Sequence, residues 1–266
     1  MNFSPTNPVQ ASPPARTQSL SPSLRPARLA RAADTGAYEI KSLLSEPLAR
    51  ELEARFSAFL AADPHADPAL GGAYAITSLY CDTPRWDVYF REGRHATRKY
   101  RVRRYGPADG GPVFLERKTV IDRRVRKRRS PVTEADLART LDARSGETEW
   151  FARQVAARDL APACRVRYLR RAMFGVGPDG PMRVTFDRSI RGALARGWSF
   201  DTADETPLLD GVVVCEFKFE AAMPAPMKDL ATTLALAPSS ISKYRACVAA
   251  GLTGDSLIEI VLTAAI

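Results

Sequence analysis

Several short segments of this chain put Arg, Lys and occasional acids on alternate residues, with bulky residues between them. Glu39 and Lys41, Arg101 and Arg103, Glu116 and Lys118, Tyr168 and Arg170, Arg183 and Asp187, and Glu216 and Lys218 all follow this spacing. A strand sends successive side chains to opposite faces, so each segment would present its polar groups on one face and its apolar groups on the other. The guanidinium is a planar fork that matches phosphate oxygens, and Arg recurs here. If these strands share one sheet that curls with its charges inward, the lumen is cationic and suits a long polyanion. A sheet whose charged face meets water would show the same alternation. Three features favour the inward orientation. Solvated strand faces usually mix Thr, Ser, Gln, Glu and Lys, whereas Arg recurs here. Its fork is suited to anions, and the helices carry apolar stripes that need a surface such as a barrel exterior.

Glu216 is the most informative carboxylate. It follows the Val212–Val214 run and shares a strand face with Lys218. One reading is a surface salt bridge; the other is a carboxylate held among cations and poised to bind a metal.

The elements that must position these residues alternate strands with edge helices. The first strand is expected over Tyr38–Leu43, followed by a helix capped at Ser45 with Leu48, Leu52, Phe56 and Phe59 on one stripe. A turn-rich loop spans Asp63–Gly72, and a strand spans Tyr74–Asp82. Trp86–Phe90 reads as a short strand or turn. Arg98–Tyr105, Val113–Val120 and Arg123–Arg129 have the spacing of an antiparallel meander. Thr133–Ala143, with Thr133 and Asp136 in a capping-box pattern, and Glu147–Ala157 read as helices. Strands return at Cys164–Phe174, Met182–Ile190 and Val212–Phe219, and helices at Met227–Leu236 and Ser240–Ala250. The expected fold is α+β: a closed antiparallel β-barrel with helices packed on the outside, a single domain over residues 34–266. Residues 1–33, rich in Pro, Ser and Ala with four arginines and no acid before Asp34, read as a disordered basic leader.

The charge distribution is local. The chain has 266 residues and a formal charge of +9, and Arg98–Arg129 alone holds thirteen Lys and Arg against Asp109, Glu116 and Asp122. An anionic partner is expected. Arg123–Arg129 has no interleaved aromatics for base stacking, which disfavours nucleic acid. Gly106–Gly111 lacks a P-loop pattern. With only His65 and His95, a His-based metal site or Ser-His-Asp triad cannot be assembled, so any metal should be a hard cation held by oxygen ligands. The four cysteines form no CxxC pair and read as buried thiols in a reducing compartment. No run approaches the ~20 apolar residues of a membrane span. Leu257–Ile266 reads as a final strand or docked tail, and the N-terminus has no apolar signal core. A cytoplasmic protein is expected.

Taken in order, Tyr38-Glu-Ile-Lys41, Ser78-Leu-Tyr-Cys-Asp82, Lys99-Tyr-Arg-Val-Arg-Arg-Tyr105, Phe114-Leu-Glu-Arg-Lys118, Tyr168-Leu-Arg170, Arg183-Val-Thr-Phe-Asp187, Cys215-Glu-Phe-Lys218 and Ser242-Lys-Tyr244 resemble the VTC domain. This is the polyphosphate-polymerase domain of the vacuolar transporter chaperone family, within the triphosphate tunnel (CYTH-like) superfamily. The resemblance implies a tunnel that binds ATP and inorganic polyphosphate and transfers the γ-phosphate of ATP to a growing chain with Mn²⁺ or Mg²⁺. It implies that Lys41, Arg101, Arg103, Lys118, Arg170 and Arg183 do the catalytic work on phosphates, with Glu216 holding the metal. Lys243, Tyr168 and either Lys127 or Arg128 would contact the substrate, with Glu39 and Lys218 beside them. The hydrolase and cyclase branch carries ExExK on its first strand. Here Ala37 stands at the first Glu position, which favours a polymerase. A triphosphatase of the same fold and a non-catalytic binder of polyphosphate or inositol polyphosphate are the alternatives. The family's eukaryotic assemblies add an SPX domain and membrane helices, and this chain has neither motif. Coupled translocation would need a separate membrane partner.

Overall fold

A computed structural model describes residues 36–106, 111–142, 145–201 and 204–253. The strands are β1 (Tyr38–Ser45), β2 (Ala61–Ala62), β3 (Ala73–Asp82), β4 (Arg98–Tyr105), β5 (Val113–Ile121), β6 (Arg124–Val132), β7 (Ala161–Gly177), β8 (Gly180–Leu194), β9 (Thr206–Pro207) and β10 (Val212–Phe219). The helices are α1 (Glu46–Ser57), α2 (Asp87–Phe90), α3 (Leu137–Leu141), α4 (Glu149–Arg158), α5 (Ala225–Thr233) and α6 (Lys243–Thr253). Eight strands run in the order β1-β10-β8-β7-β3-β4-β5-β6, every pair antiparallel, with β2 added to β7 and β9 to β8.

The expected closed barrel is a curled sheet with a seam. The edge strands β1 and β6 meet through one bridge, Ala37 with Val125, whose two backbone hydrogen bonds measure 3.1 and 2.7 Å. Gly36 permits that approach. Its φ is +72°, and a Cβ there would stand 3.1 Å from the Val125 carbonyl oxygen. Farther along β1 the ladder cannot continue to β6. The Lys41 carbonyl is already taken by the Ser239 amide at 2.7 Å, so the α5–α6 connection covers that edge.

Apolar residues on the convex face meet two helical layers. Leu52 and Phe56 of α1 and Met227 of α5 pack on Leu44, Val184, Phe186, Cys215 and Phe217. Leu137 of α3 and Trp150 and Phe151 of α4 pack on Leu79, Tyr100, Val102 and Leu115. Full burial of each such side chain is worth about 1.5–3 kcal/mol. Phe59, expected on the α1 stripe, lies beyond the helix and is exposed.

Helix α6 departs from the expectation that all helices lie outside. Its Tyr244, Cys247 and Val248, spaced for one helical face, pack with Ile76, Tyr80, Val166, Tyr168 and Val214. Ile76 pairs with Tyr105 and Tyr168, and Val166 pairs with Ser78, which itself pairs with Arg103. These residues therefore share the face of the arginines, and α6 covers one end of the concave side.

Two local readings change. Trp86–Phe90 contains a helical turn, because the buried Asp82 carboxylate accepts from the Val88 and Tyr89 amides at 2.8 and 3.0 Å. Thr133 and Asp136 do form their reciprocal pair, but the helix starts only at Leu137. The four cysteines are free and buried. Among the described residues no helix is long and apolar enough to cross a membrane. The leader expected over residues 1–33 and the tail over Leu257–Ile266 lie outside the described residues.

Candidate functional site

The charged faces turn inward and line a cavity of about 130 Å³. β1 contributes Glu39 and Lys41, β4 contributes Lys99, Arg101 and Arg103, and β5 and β6 contribute Lys118 and Lys127. β7 and β8 add Arg170 and Arg183, β10 adds Glu216 and Lys218, and α6 adds Lys243. Ten basic side chains thus face two carboxylates. Tyr74, Tyr80, Tyr105, Tyr168, Thr185 and Ser242 complete the polar wall.

Two fully buried carboxylates behind the wall hold the cations in place. Glu116 accepts from Arg101 Nε and Nη2 at 2.7 and 2.6 Å, from Arg129 Nε at 2.9 Å and from Lys127 Nζ at 3.4 Å. Asp187 accepts from Arg170 Nε and Nη2 at 2.6 and 2.7 Å and pairs with Lys243 Nζ at 2.6 Å. Burial opposes ionisation of both carboxyls, but the surrounding cations outweigh it. Arg101, Arg103, Lys127 and Arg129 hold Glu116 well below the usual carboxylate range, and Arg170 and Lys243 hold Asp187 below its ordinary value. A buried charge survives only when paired in this way.

The other cations are fixed by hydroxyls or by acids at the rim. Arg103 donates to Ser78 Oγ and Tyr168 OH, both at 3.0 Å. Arg183 donates to Asp63 Oδ2 at 2.8 Å and to Tyr74 OH at 3.0 Å. Glu39 is held between Lys118 and Lys218, the latter at 3.2 Å. Tyr105 carries the opposite perturbation to an ordinary buried phenol. Burial would raise its pKa, yet Arg103, Lys127 and Arg129 bring it to about 7.

Glu216 differs from the anchored acids. Its ion pair with Lys41 is the loosest among the described residues, at 4.0 Å. Burial works against its ionisation, but Lys118, Lys41, Arg170 and Lys243 keep it ionised well below the usual range. Among the described residues no cluster of three or more His, Cys, Asp or Glu side chains could hold a metal by itself. A charged but loosely engaged carboxylate fits a hard cation that takes its remaining ligands from phosphate oxygens and water, as Mg²⁺ does.

The profile of the VTC domain matches residues 36–251, most of the chain. The chain belongs to the VTC domain family. A search of curated proteins found no match. Similar solved structures include a candidate adenylate cyclase of Bacillus halodurans, with 12% identity, 78% of this chain and 95% of that one covered, and a TM-score of 0.47. A protein of Pyrococcus horikoshii OT3 gives 10% identity, coverage of 79% and 94%, and a TM-score of 0.43. A candidate adenylate cyclase of Vibrio parahaemolyticus gives 11% identity, coverage of 79% and 97%, and a TM-score of 0.44.

This VTC domain brings together Lys41, Arg101, Arg103, Lys118, Arg170, Arg183 and Glu216 of the expected catalytic set, and Glu39, Lys127, Tyr168, Lys218 and Lys243 of the expected substrate set. Arg128 is placed elsewhere. It alternates with Lys127, pairs with Arg117 and lies 4.7 Å from the Trp150 ring centroid on the convex side. Of the two residues left open by sequence, the odd–even alternation of β6 puts Lys127 on the lined face and Arg128 on the other. Lys99 was missed as a lining residue although it continues the Arg101 and Arg103 face by two positions. Tyr74, Tyr80, Tyr105 and Ser242 were also missed, because uncharged residues leave no mark in a charge pattern.

Proposed function

We propose that this VTC domain is a polyphosphate polymerase, acting on ATP and inorganic polyphosphate in the cytoplasm. The observation that carries the reading is the wall of ten basic side chains, four of them clamped by two buried carboxylates, with one loosely paired acid, Glu216. In the reaction, a terminal oxygen of the chain attacks the γ-phosphorus of ATP. The bond from that phosphorus to the bridging oxygen breaks, ADP leaves, and the chain is one unit longer. Such transfer needs little covalent help from protein and much positioning and charge neutralisation. Arg101, Arg103, Arg170 and Arg183 present forks to the phosphates, and Lys41, Lys118 and Lys243 add point charges. Tyr168, which accepts from Arg103, orients a phosphate beside it. Because the clamps are held before substrate arrives, little reorganisation is needed as charge shifts between oxygens. Glu216 would hold Mn²⁺ or Mg²⁺, whose charge offsets that of the non-bridging oxygens. Four free, buried thiols agree with a reducing compartment.

Triphosphate hydrolysis is the second reading, favoured by the presence of a second lining acid, Glu39. That acid is already engaged by two lysines, and Ala37, facing the same way, adds no third carboxylate. The purified protein incubated with ATP and Mn²⁺ should make long-chain polyphosphate, with or without a pyrophosphate primer. Orthophosphate alone would select the hydrolase, and tight binding with no turnover would select a non-catalytic binder. Glu216→Gln should lower turnover by about 10²–10³-fold while tripolyphosphate still binds.

A further inference from the structure

Six lysines line the cavity, and five of them stand within 4.0 Å of a carboxylate. Lys99 is the exception among the described residues: its amine rests on a neutral hydroxyl, Ser242 Oγ, at 2.7 Å. The charged groups that act on it most strongly are all cationic. Lys118 is its cross-strand partner on β5, Arg101 is two residues on along β4, Lys41 comes from β1, and Arg91 comes from the turn after α2. We propose that Lys99 is the proton acceptor of the cavity: a neutral amine before substrate binds, it takes the last proton of the terminal phosphate of an acceptor chain. This rests on the polymerase reading for its substrate, and it adds a residue with a role of its own.

Geometry and chemistry agree on that role. A partly buried amine among cations does not easily remain an ammonium when no carboxylate lies within 4.0 Å of it. Burial, then Lys41, Lys118, Arg91 and Arg101, push its pKa down to about 7. A phosphate end group gives up its second proton near pH ~6, so acceptor chains near neutral pH include a protonated fraction whose terminal oxygen is a poor nucleophile. An acid–base group works best when its pKa lies near the operating pH. The step balances simply: the phosphate O–H bond breaks, an N–H bond forms, and a phosphate dianion faces a new ammonium. The arriving anion removes the reason for the low pKa, so the ammonium is stable while the chain is bound. When the chain leaves, the proton returns to water.

Proton counting tests this without turnover. Tripolyphosphate is titrated calorimetrically into the full protein at pH 8, where its end groups have already lost their second protons and any proton taken up passes from the buffer to the protein, in two buffers of different ionisation enthalpy. Lys127, with a pKa of about 8, and Tyr105 also titrate in this range, so the comparison is between variants. Wild type should take up about one more proton on binding than either Lys99→Arg, which is always charged, or Lys99→Gln, which is never charged. Equal proton counts in wild type and both variants, with binding retained, would overturn the proposal. In the polymerisation assay, Lys99→Arg should lose the acid-side fall in rate near pH 7, and its kcat should drop with little change in KM. A variant that keeps the wild-type pH profile would also overturn it. If wild type makes no polyphosphate, the polymerase reading fails, while the proton count still reports on Lys99.

Discussion

Strands β4, β5 and β6 carry arginines on both faces, and the two faces are built differently. On the concave face, Arg101, Lys127 and Arg129 converge on one carboxylate, Glu116, which has no exposure at all. On the convex face toward the β5–β6 turn, Arg98, Arg117, Arg126 and Arg128 have no carboxylate within 4.0 Å among the described residues. Arg128 and Arg117 instead lie over Trp150, at 4.7 and 6.0 Å from its ring. The same residue type, one position apart, meets opposite requirements. A cation withdrawn from water needs a buried counter-charge to stay where it is, whereas an exposed one can leave compensation to solvent. Across β4, β5 and β6, the buried Glu116 therefore marks the basic face that lines the cavity. The count of thirteen cations over Arg98–Arg129 merges the two populations.

The largest effect expected from this contrast is on turnover. Arg101→Ala removes a fork fixed by Glu116 and hydrogen-bonded to Tyr80 at 3.2 Å, and should lower kcat by about 10³-fold, the scale of a lost phosphate-neutralising arginine. Arg128→Ala, on the other side of the sheet, should leave kcat within about twofold, since surface changes typically cost no more than ~0.5 kcal/mol. Parallel assays of polyphosphate formation decide it, and similar losses in both variants would erase the distinction between faces.

Next in size is an effect on stability. Glu116→Gln leaves Arg101, Lys127 and Arg129 without their common anion and should cost about 3–5 kcal/mol, read from denaturant unfolding. The pH dependence has a definite sign. The folded state holds Glu116 ionised below its ordinary value of 4.5, so its contribution is complete above that pH and is lost progressively as pH falls. Wild type should therefore lose stability between pH 4.5 and 2 more steeply than Glu116→Gln does. Matching slopes would show that Glu116 is not the anchor.

Much of this arrangement was legible in the sequence because strand alternation is a strong signal when one face is charged. Spacing alone put Glu39 with Lys41, Arg101 with Arg103, Glu116 with Lys118 and Glu216 with Lys218 on one face of each strand. What alternation could not supply was the far partner. That Glu116 serves three cations from two neighbouring strands follows from register, Arg101 with Glu116 and Glu116 with Arg129, which no local pattern encodes. The position of α6 was hidden for a similar reason. Tyr244, Cys247 and Val248 announce an apolar helical face, but convex and concave surfaces both offer apolar partners. Only the fold shows that Ile76, Val166 and Val214 are those partners. The seam was equally unreadable, since it depends on Ser239 occupying the Lys41 carbonyl.

The smallest expected effect tests the convex face by itself. Arg126→Ala and Arg128→Ala together should cost little: Arg126 is exposed, and Arg128 gives up a stacking contact worth about 0.5–1 kcal/mol at such a site. Because these arginines are uncompensated, they do add to the field felt by any polyanion nearby, and that contribution should be screened by salt over a Debye length of about 8 Å at physiological ionic strength. Tripolyphosphate affinity in the double variant should thus fall modestly at low salt and match wild type at 0.5 M, where only the short-range clamps of the cavity still act. A loss that persists at high salt would mean that the phosphate chain touches both sides of β6, so that an uncompensated arginine can belong to the site as fully as an anchored one.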